Sequence, residues 1–135
     1  MKILGITALG LLVLAAAVTA LVSCGVLNRN TIRDLRTDPE GERARKVMLL
    51  TLPSGKEIPV NYLREGDRVY AGADFPWWRE LRGDGGRVRL LIRGEVLDGQ
   101  GRAIEDDEAL RSQVFERLRP TAPSWTGTLV EITLD

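Results

Sequence analysis

The sequence contains no histidine and a single cysteine, Cys24. These two scarcities exclude intramolecular disulfides, Cys/His zinc sites, Ser-His-Asp triads and histidine general bases. Any enzymatic chemistry would have to run on carboxylates or on a bound cofactor. Neither sign of charge predominates, with 19 Lys+Arg against 19 Asp+Glu. Lys2 is the one basic residue ahead of residue 25, so residues 25–135 carry a net charge of −1. That balance gives no electrostatic footprint for nucleic acid, and DNA and RNA are set aside as partners.

Charge is absent altogether from Ile3 to Ser23, a run of Leu, Ile, Val, Ala, Gly and Thr with Ser23 at its end. A helix of about 20 residues rises roughly 30 Å, enough to span a hydrocarbon core. The run ends in Leu21-Val22-Ser23-Cys24, which looks like a bacterial lipoprotein cleavage site with Cys24 as the lipid acceptor. Two anchors stay open, an uncleaved transmembrane helix and a lipidated Cys24. A lipoprotein would face outward. An uncleaved helix is followed by Arg29, Arg33 and Arg36 and preceded by Lys2, a bias that favours a domain on the cytoplasmic side. Both place the protein at a bacterial cytoplasmic membrane. The chain divides into residues 1–24 as anchor or lipoprotein signal, 25–45 as a polar tether and 46–135 as a folded domain.

Within the tether, Thr31 to Arg36 is weakly helical and Asp38-Pro39-Glu40-Gly41 ends it. The domain begins with Val47-Met48-Leu49-Leu50-Thr51-Leu52, an apolar run that suits a buried strand stopped by Pro53-Ser54-Gly55. Ile58, Val60 and Tyr62 share one face of a second strand, Arg64-Glu65-Gly66-Asp67 turns the chain, and Arg68 to Ala73 makes a third. Pro76 opens a short helix containing Trp77 and Trp78, which Gly83-Asp84-Gly85-Gly86 ends. Arg87 to Arg93 alternates Val88, Leu90 and Ile92 against Arg87, Arg89 and Arg93. Glu95–Leu97 and Arg102–Ile104 read as strand on either side of Asp98-Gly99-Gln100-Gly101, a hairpin turn or a bulge.

Acids from Glu105 to Glu108 open a second helix, where the dipole favours them, and Arg117 and Arg119 stand near its end before Pro120. Leu110, Val114 and Leu118, joined by Phe115, give it one packing face. A loop with Trp125 leads to a last strand over Gly127 to Leu134. No long βαβ crossover occurs, so the fold class is mostly β with two short helices, a small antiparallel barrel behind the anchor.

The order of these elements, read with Leu49-Leu50-Thr51 before a Ser-Gly turn, Tyr62-Leu63-Arg64-Glu65-Gly66-Asp67-Arg68-Val69, Pro76 with Trp78 and Glu95-Val96-Leu97-Asp98, resembles the deazaflavin-dependent nitroreductase family. The resemblance runs from about Val47 to Glu108. It implies the split β-barrel of the pyridoxamine-phosphate-oxidase type, a groove for deazaflavin or flavin mononucleotide (FMN), hydride transfer to a small organic acceptor, and a homodimer. Carried onto this chain, it names Ser54, Gly55, Lys56, Tyr62, Trp77 and Trp78 as cofactor-binding residues, with Lys56 on the phosphate. No catalytic side chain is singled out.

The chain departs from the family pattern in the turn Pro53 to Glu57, where Lys56 is the sole cation, in the short loop Ala73-Asp74-Phe75, which has none, and at Asn61, where the family has a tyrosine. Two functions follow as expectations: a membrane-anchored deazaflavin- or flavin-dependent oxidoreductase, or a non-enzymatic tethered barrel that acts as a binding or assembly module.

Overall fold

The computed structural model describes residues 28–121 and 126–135. The apolar run, Cys24 and Trp125 lie outside them, and among the described residues no helix is long and apolar enough to cross a membrane.

Six antiparallel strands close into a barrel in the order β1-β2-β3-β6-β5-β4. They are β1 (Val47–Thr51), β2 (Glu57–Glu65), β3 (Arg68–Ala73), β4 (Gly86–Ile92), β5 (Glu95–Ile104) and β6 (Thr128–Leu134). Two three-stranded meanders, β1-β2-β3 and β4-β5-β6, thus meet along β3–β6 and β1–β4. A 3-10 helix, Pro76–Leu81, makes the crossover between them, with Pro76 in its first turn, where a missing N–H costs nothing.

The alternation in the sequence sets which side chains fill the barrel. Leu50, Val69, Ala71, Val88, Leu90, Ile92, Val130 and Ile132 form one buried cluster inside it, with Ile58, Val60 and Tyr62 packed against its edge. Helix α3 (Glu108–Leu118) covers the outside of the wall. Val114 and Phe115 meet Tyr70, Ile104 and Leu129 there, with Leu110 and Leu118 alongside as their four-residue spacing requires. The Asp107 carboxylate accepts from the Leu110 N–H at 3.0 Å, an N-cap that accounts for one of the acids at the helix start.

Two features differ from the sequence reading. The polar tether, expected to be weakly helical only over Thr31 to Arg36, forms helices α1 (residues 28–37) and α2 (Glu42–Lys46), which dock on the barrel through Leu35 and Ala44 against Leu49. Leu35 is 2% exposed and Ala44 1%, with Ile32 packed beside them; so few apolar residues within a charged sequence suffice because β1 presents an apolar outer face at Leu49. In addition, the Asp98-Gly99-Gln100-Gly101 segment is neither turn nor bulge. It runs straight through β5, paired on both sides, Gly99 with Val88 and Leu134 and Gly101 with Gly86 and Ile132. A Cβ on Gly99 would stand 2.6 Å from the Thr133 carbonyl oxygen, so glycine here serves close approach inside a strand.

Candidate functional site

β2 is shared unevenly between its neighbours. Glu57 to Asn61 pair with β1, whereas only Tyr62 to Glu65 pair with β3. Gly72 and Ala73 of β3 therefore have no partner on the β2 side, and the wall parts between them and the first half of β2. Pro59, which lacks a backbone donor, stands in that half. The opening is a groove of about 940 Å³, within the size range of small-molecule and cofactor sites. Ile58, Val60 and Tyr62 line one side, Gly72, Asp74 and Trp77 the other, and the end of α3 contributes Arg117 and Arg119.

The groove brings together Lys56, Tyr62 and Trp77 of the residues expected from the sequence; Ser54, Gly55 and Trp78 are not part of its lining. Ser54 has a different task. Its N–H and its hydroxyl both donate to the Glu80 carboxylate at 3.0 Å, tying the β1–β2 turn to the 3-10 helix. Both tryptophans pack partly on the barrel core, and Trp78 carries the Arg82 guanidinium 4.5 Å above its ring. Trp77 alone of the pair reaches the groove. Adjacent positions on a short helix point in different directions, which separates the two roles.

Four cations that sequence reasoning left out of the site also line it: Arg45 and Lys46 from α2, and Arg117 and Arg119 from α3. Arg45, Lys46 and Lys56 form no ion pair among the described residues, whereas Glu57 pairs with Arg36 and Arg117 with Glu65. Arg119 is only 15% exposed and bonds Asp74 at 2.7 Å through one guanidinium nitrogen, with its carbon 4.9 Å from the Phe115 ring centre. The guanidinium lies flat against β3 at Gly72, where a Cβ would come within 2.6 Å of it. The other Arg119 donors make no bond among the described residues, so a half-sequestered guanidinium with spare donors forms part of the groove wall. In the sequence Arg117 and Arg119 carried only the signal of a helix C-terminus.

Tyr62 donates its hydroxyl to the Ala44 carbonyl at 3.4 Å, a long bond that links α2 to the groove. Burial pushes its phenol above the usual value of 10.0, while Arg93 and Arg64 pull it down. The folded state therefore favours neutral Tyr62. That contribution to stability is complete below the unfolded value and is lost as pH rises through the folded one. In Tyr62→Phe the loss of stability above pH 10.0 should be shallower than in the parent, as urea denaturation at a series of alkaline pH values would show. Equal slopes would mean that Tyr62 ionises alike in both states.

The architecture is a split β-barrel with a groove at the split. Among solved structures the chain is similar to the "Putative Pyridoxamine 5'-phosphate oxidase" of Listeria innocua, at 19% identity and a TM-score of 0.54, over 67% of this chain and 84% of that one. Similarity extends to a FAD-binding protein of Mesorhizobium loti, at 17% identity and a TM-score of 0.46 over 69% and 82% of the two chains. It also extends to the flavocytochrome Anf3 of Azotobacter vinelandii, at 16% identity and 0.48 over 79% and 64%. No protein-family model and no curated protein matches the chain.

Proposed function

We propose that the protein is a flavin- or deazaflavin-dependent oxidoreductase that holds its cofactor in the groove and passes hydride to a small organic acceptor. The observation that carries this reading is the composition of the groove. It joins an aromatic ring, Trp77, to two cationic groups with spare donors, Lys56 and Arg119, across apolar walls. Such a site fits a planar ring system with a phosphate-bearing tail. The fold supports it, since the Listeria protein of the same architecture is described as a "Putative Pyridoxamine 5'-phosphate oxidase"; the choice of deazaflavin rests on the sequence resemblance.

In this reading Lys56 and Arg119 hold the phosphate, and Trp77 and the Tyr62 ring shape the slot for the planar system. The bound cofactor would supply the hydride chemistry, while the protein binds, orients and excludes water. Asp74 keeps Arg119 pointed along the groove wall. A cofactor-free binding module is favoured by one observation: both donors of Ser54 are spent on Glu80, so the Ser-Gly turn has no serine left for a phosphate.

Titration of the full chain with FMN and, separately, with deazaflavin cofactor, followed by fluorescence, tests the proposal. Saturable binding should weaken about tenfold in Lys56→Ala and in Trp77→Ala, the loss expected from one charge-assisted contact or one stacked ring. No binding of either cofactor by a chain with an intact strand signature in circular dichroism would leave the binding module as the better account.

A further inference from the structure

The mouth of the groove and the start of the described chain lie at the same place. Asn28, four residues after Cys24, is part of the groove lining. Covalent geometry then limits the separation. The five residues from Ser23 to Asn28 span at most about 18 Å when fully extended. If the run Ile3–Ser23 enters a bilayer, or Cys24 carries lipid, the rim of the groove cannot be further than that from the point of attachment.

That rim has the chemistry of a surface for anionic lipid. Arg45 and Lys46 stand side by side on α2, exposed and without an ion pair among the described residues. The acids at the groove, Glu57 and Asp74, are already engaged by Arg36 and Arg119. Phe75, on the same groove, is 76% exposed, the most exposed large apolar side chain among the described residues. A surface that joins an exposed phenyl ring and cations on one groove suits headgroup phosphates and the acyl boundary beneath them. The β4–β5 end of the barrel also exposes an apolar side chain, Val96, but its cations are engaged, Arg89 with Asp98 and Arg93 with Glu40.

We infer that the groove mouth rests on the anionic surface of the membrane to which the N-terminal run attaches the chain, with Arg45 and Lys46 on lipid phosphates and Phe75 in the interface. The groove then opens toward the bilayer, and its ligand enters from the interface. This inference rests on the anchoring of the N-terminal run and is independent of which cofactor the groove takes.

The test is amide hydrogen exchange on the full chain, reconstituted at one copy per lipid nanodisc, in phosphatidylcholine alone and in phosphatidylcholine with phosphatidylglycerol. Exchange around Arg45–Lys46 and Asp74–Phe75 should slow about threefold or more in the anionic discs, and the effect should vanish in about 0.5 M salt and in Arg45→Glu/Lys46→Glu. Exchange at the Arg93–Gly94 turn should be the same in both lipids. Equal exchange of the rim in the two lipids, or protection confined to the β4–β5 end, would overturn the inference. Protection that tracks the number of copies per disc would also overturn it by assigning the rim to a second copy. A chain that does not stay with the discs removes the anchor, and the inference with it.

Discussion

Gly85→Ala should destabilise the barrel by upwards of about 3 kcal/mol, among the largest effects of any single methyl group in this chain. Gly85 has φ +78°, and a Cβ there would stand 1.9 Å from the Gly101 carbonyl oxygen and 3.2 Å from the Arg102 Cα. Both neighbours are backbone of β5, held by pairing with β4 and β6, so neither can give way without breaking the ladder. Gly66 provides the control. Its φ of +63° is as unfavourable for an L side chain, yet nothing lies within 4 Å of its missing Cβ. Gly66→Ala should therefore cost only the left-handed backbone penalty, about 1–2 kcal/mol. Urea denaturation of the two variants separates backbone conformation from close approach. Equal losses would show that the 1.9 Å approach to β5 relaxes at no cost.

A comparable loss is expected for Leu81→Ala. Leu81 ends the 3-10 helix and is fully buried in the barrel interior. A Cβ at Gly101 would stand 3.2 Å from it and one at Gly86 3.7 Å, which marks how closely β5 and β4 pack on this side chain. Truncation to alanine removes three carbons from a site enclosed by strand backbone that cannot collapse inward, a change worth about 2–5 kcal/mol. Val96→Ala, at a position 62% exposed, should stay within about 0.5 kcal/mol of the parent. Because the same short helix carries Trp77, Leu81→Ala should also weaken any ligand of the groove. If stability falls while binding is unchanged, Trp77 is held by its own packing on the core and not by the Leu81 plug.

The strands were legible wherever alternation met a single buried face. β4 is the plainest case, with Val88, Leu90 and Ile92 inward and arginines outward. β3 and β6 keep the same inward set at Val69 and Ala71 and at Val130 and Ile132, although α3 also buries Tyr70 and Leu129 on their outer face. The middle of β5 was read as a hairpin turn or a bulge because its glycines carry the local signal of either. Their cause is tertiary: the Thr133 carbonyl presses on Gly99, and Leu81 on Gly101. The docking of residues 28–46 was hidden for the opposite reason, although a helix over Thr31 to Arg36 was read. Leu35 and Ala44 are too few to produce a visible apolar stripe, and only the outer face of β1 makes them a core.

The candidate site was half visible. Lys56, Tyr62 and Trp77, which line the groove, could be named through the family resemblance. Arg45, Lys46 and Arg119 could not, since their meeting depends on α2 and α3 converging on the split between β2 and β3. Ser54 shows the converse failure. A serine before glycine in a turn invites an anion, and the anion it holds is the protein's own Glu80.

The seating of β6 between β3 and β5 has a consequence for biosynthesis. Until β6 has been made, β3 and β5 each expose an unpaired edge, and the two meanders have only the β1–β4 seam to hold them together. At that stage the barrel is still an open sheet, with apolar strands such as Val88–Ile92 awaiting their cover. Open edges of this kind recruit other strands, and non-local closure is slow. Folding of this protein should accordingly wait for Thr128–Leu134, whose arrival is the step that commits the chain to its barrel.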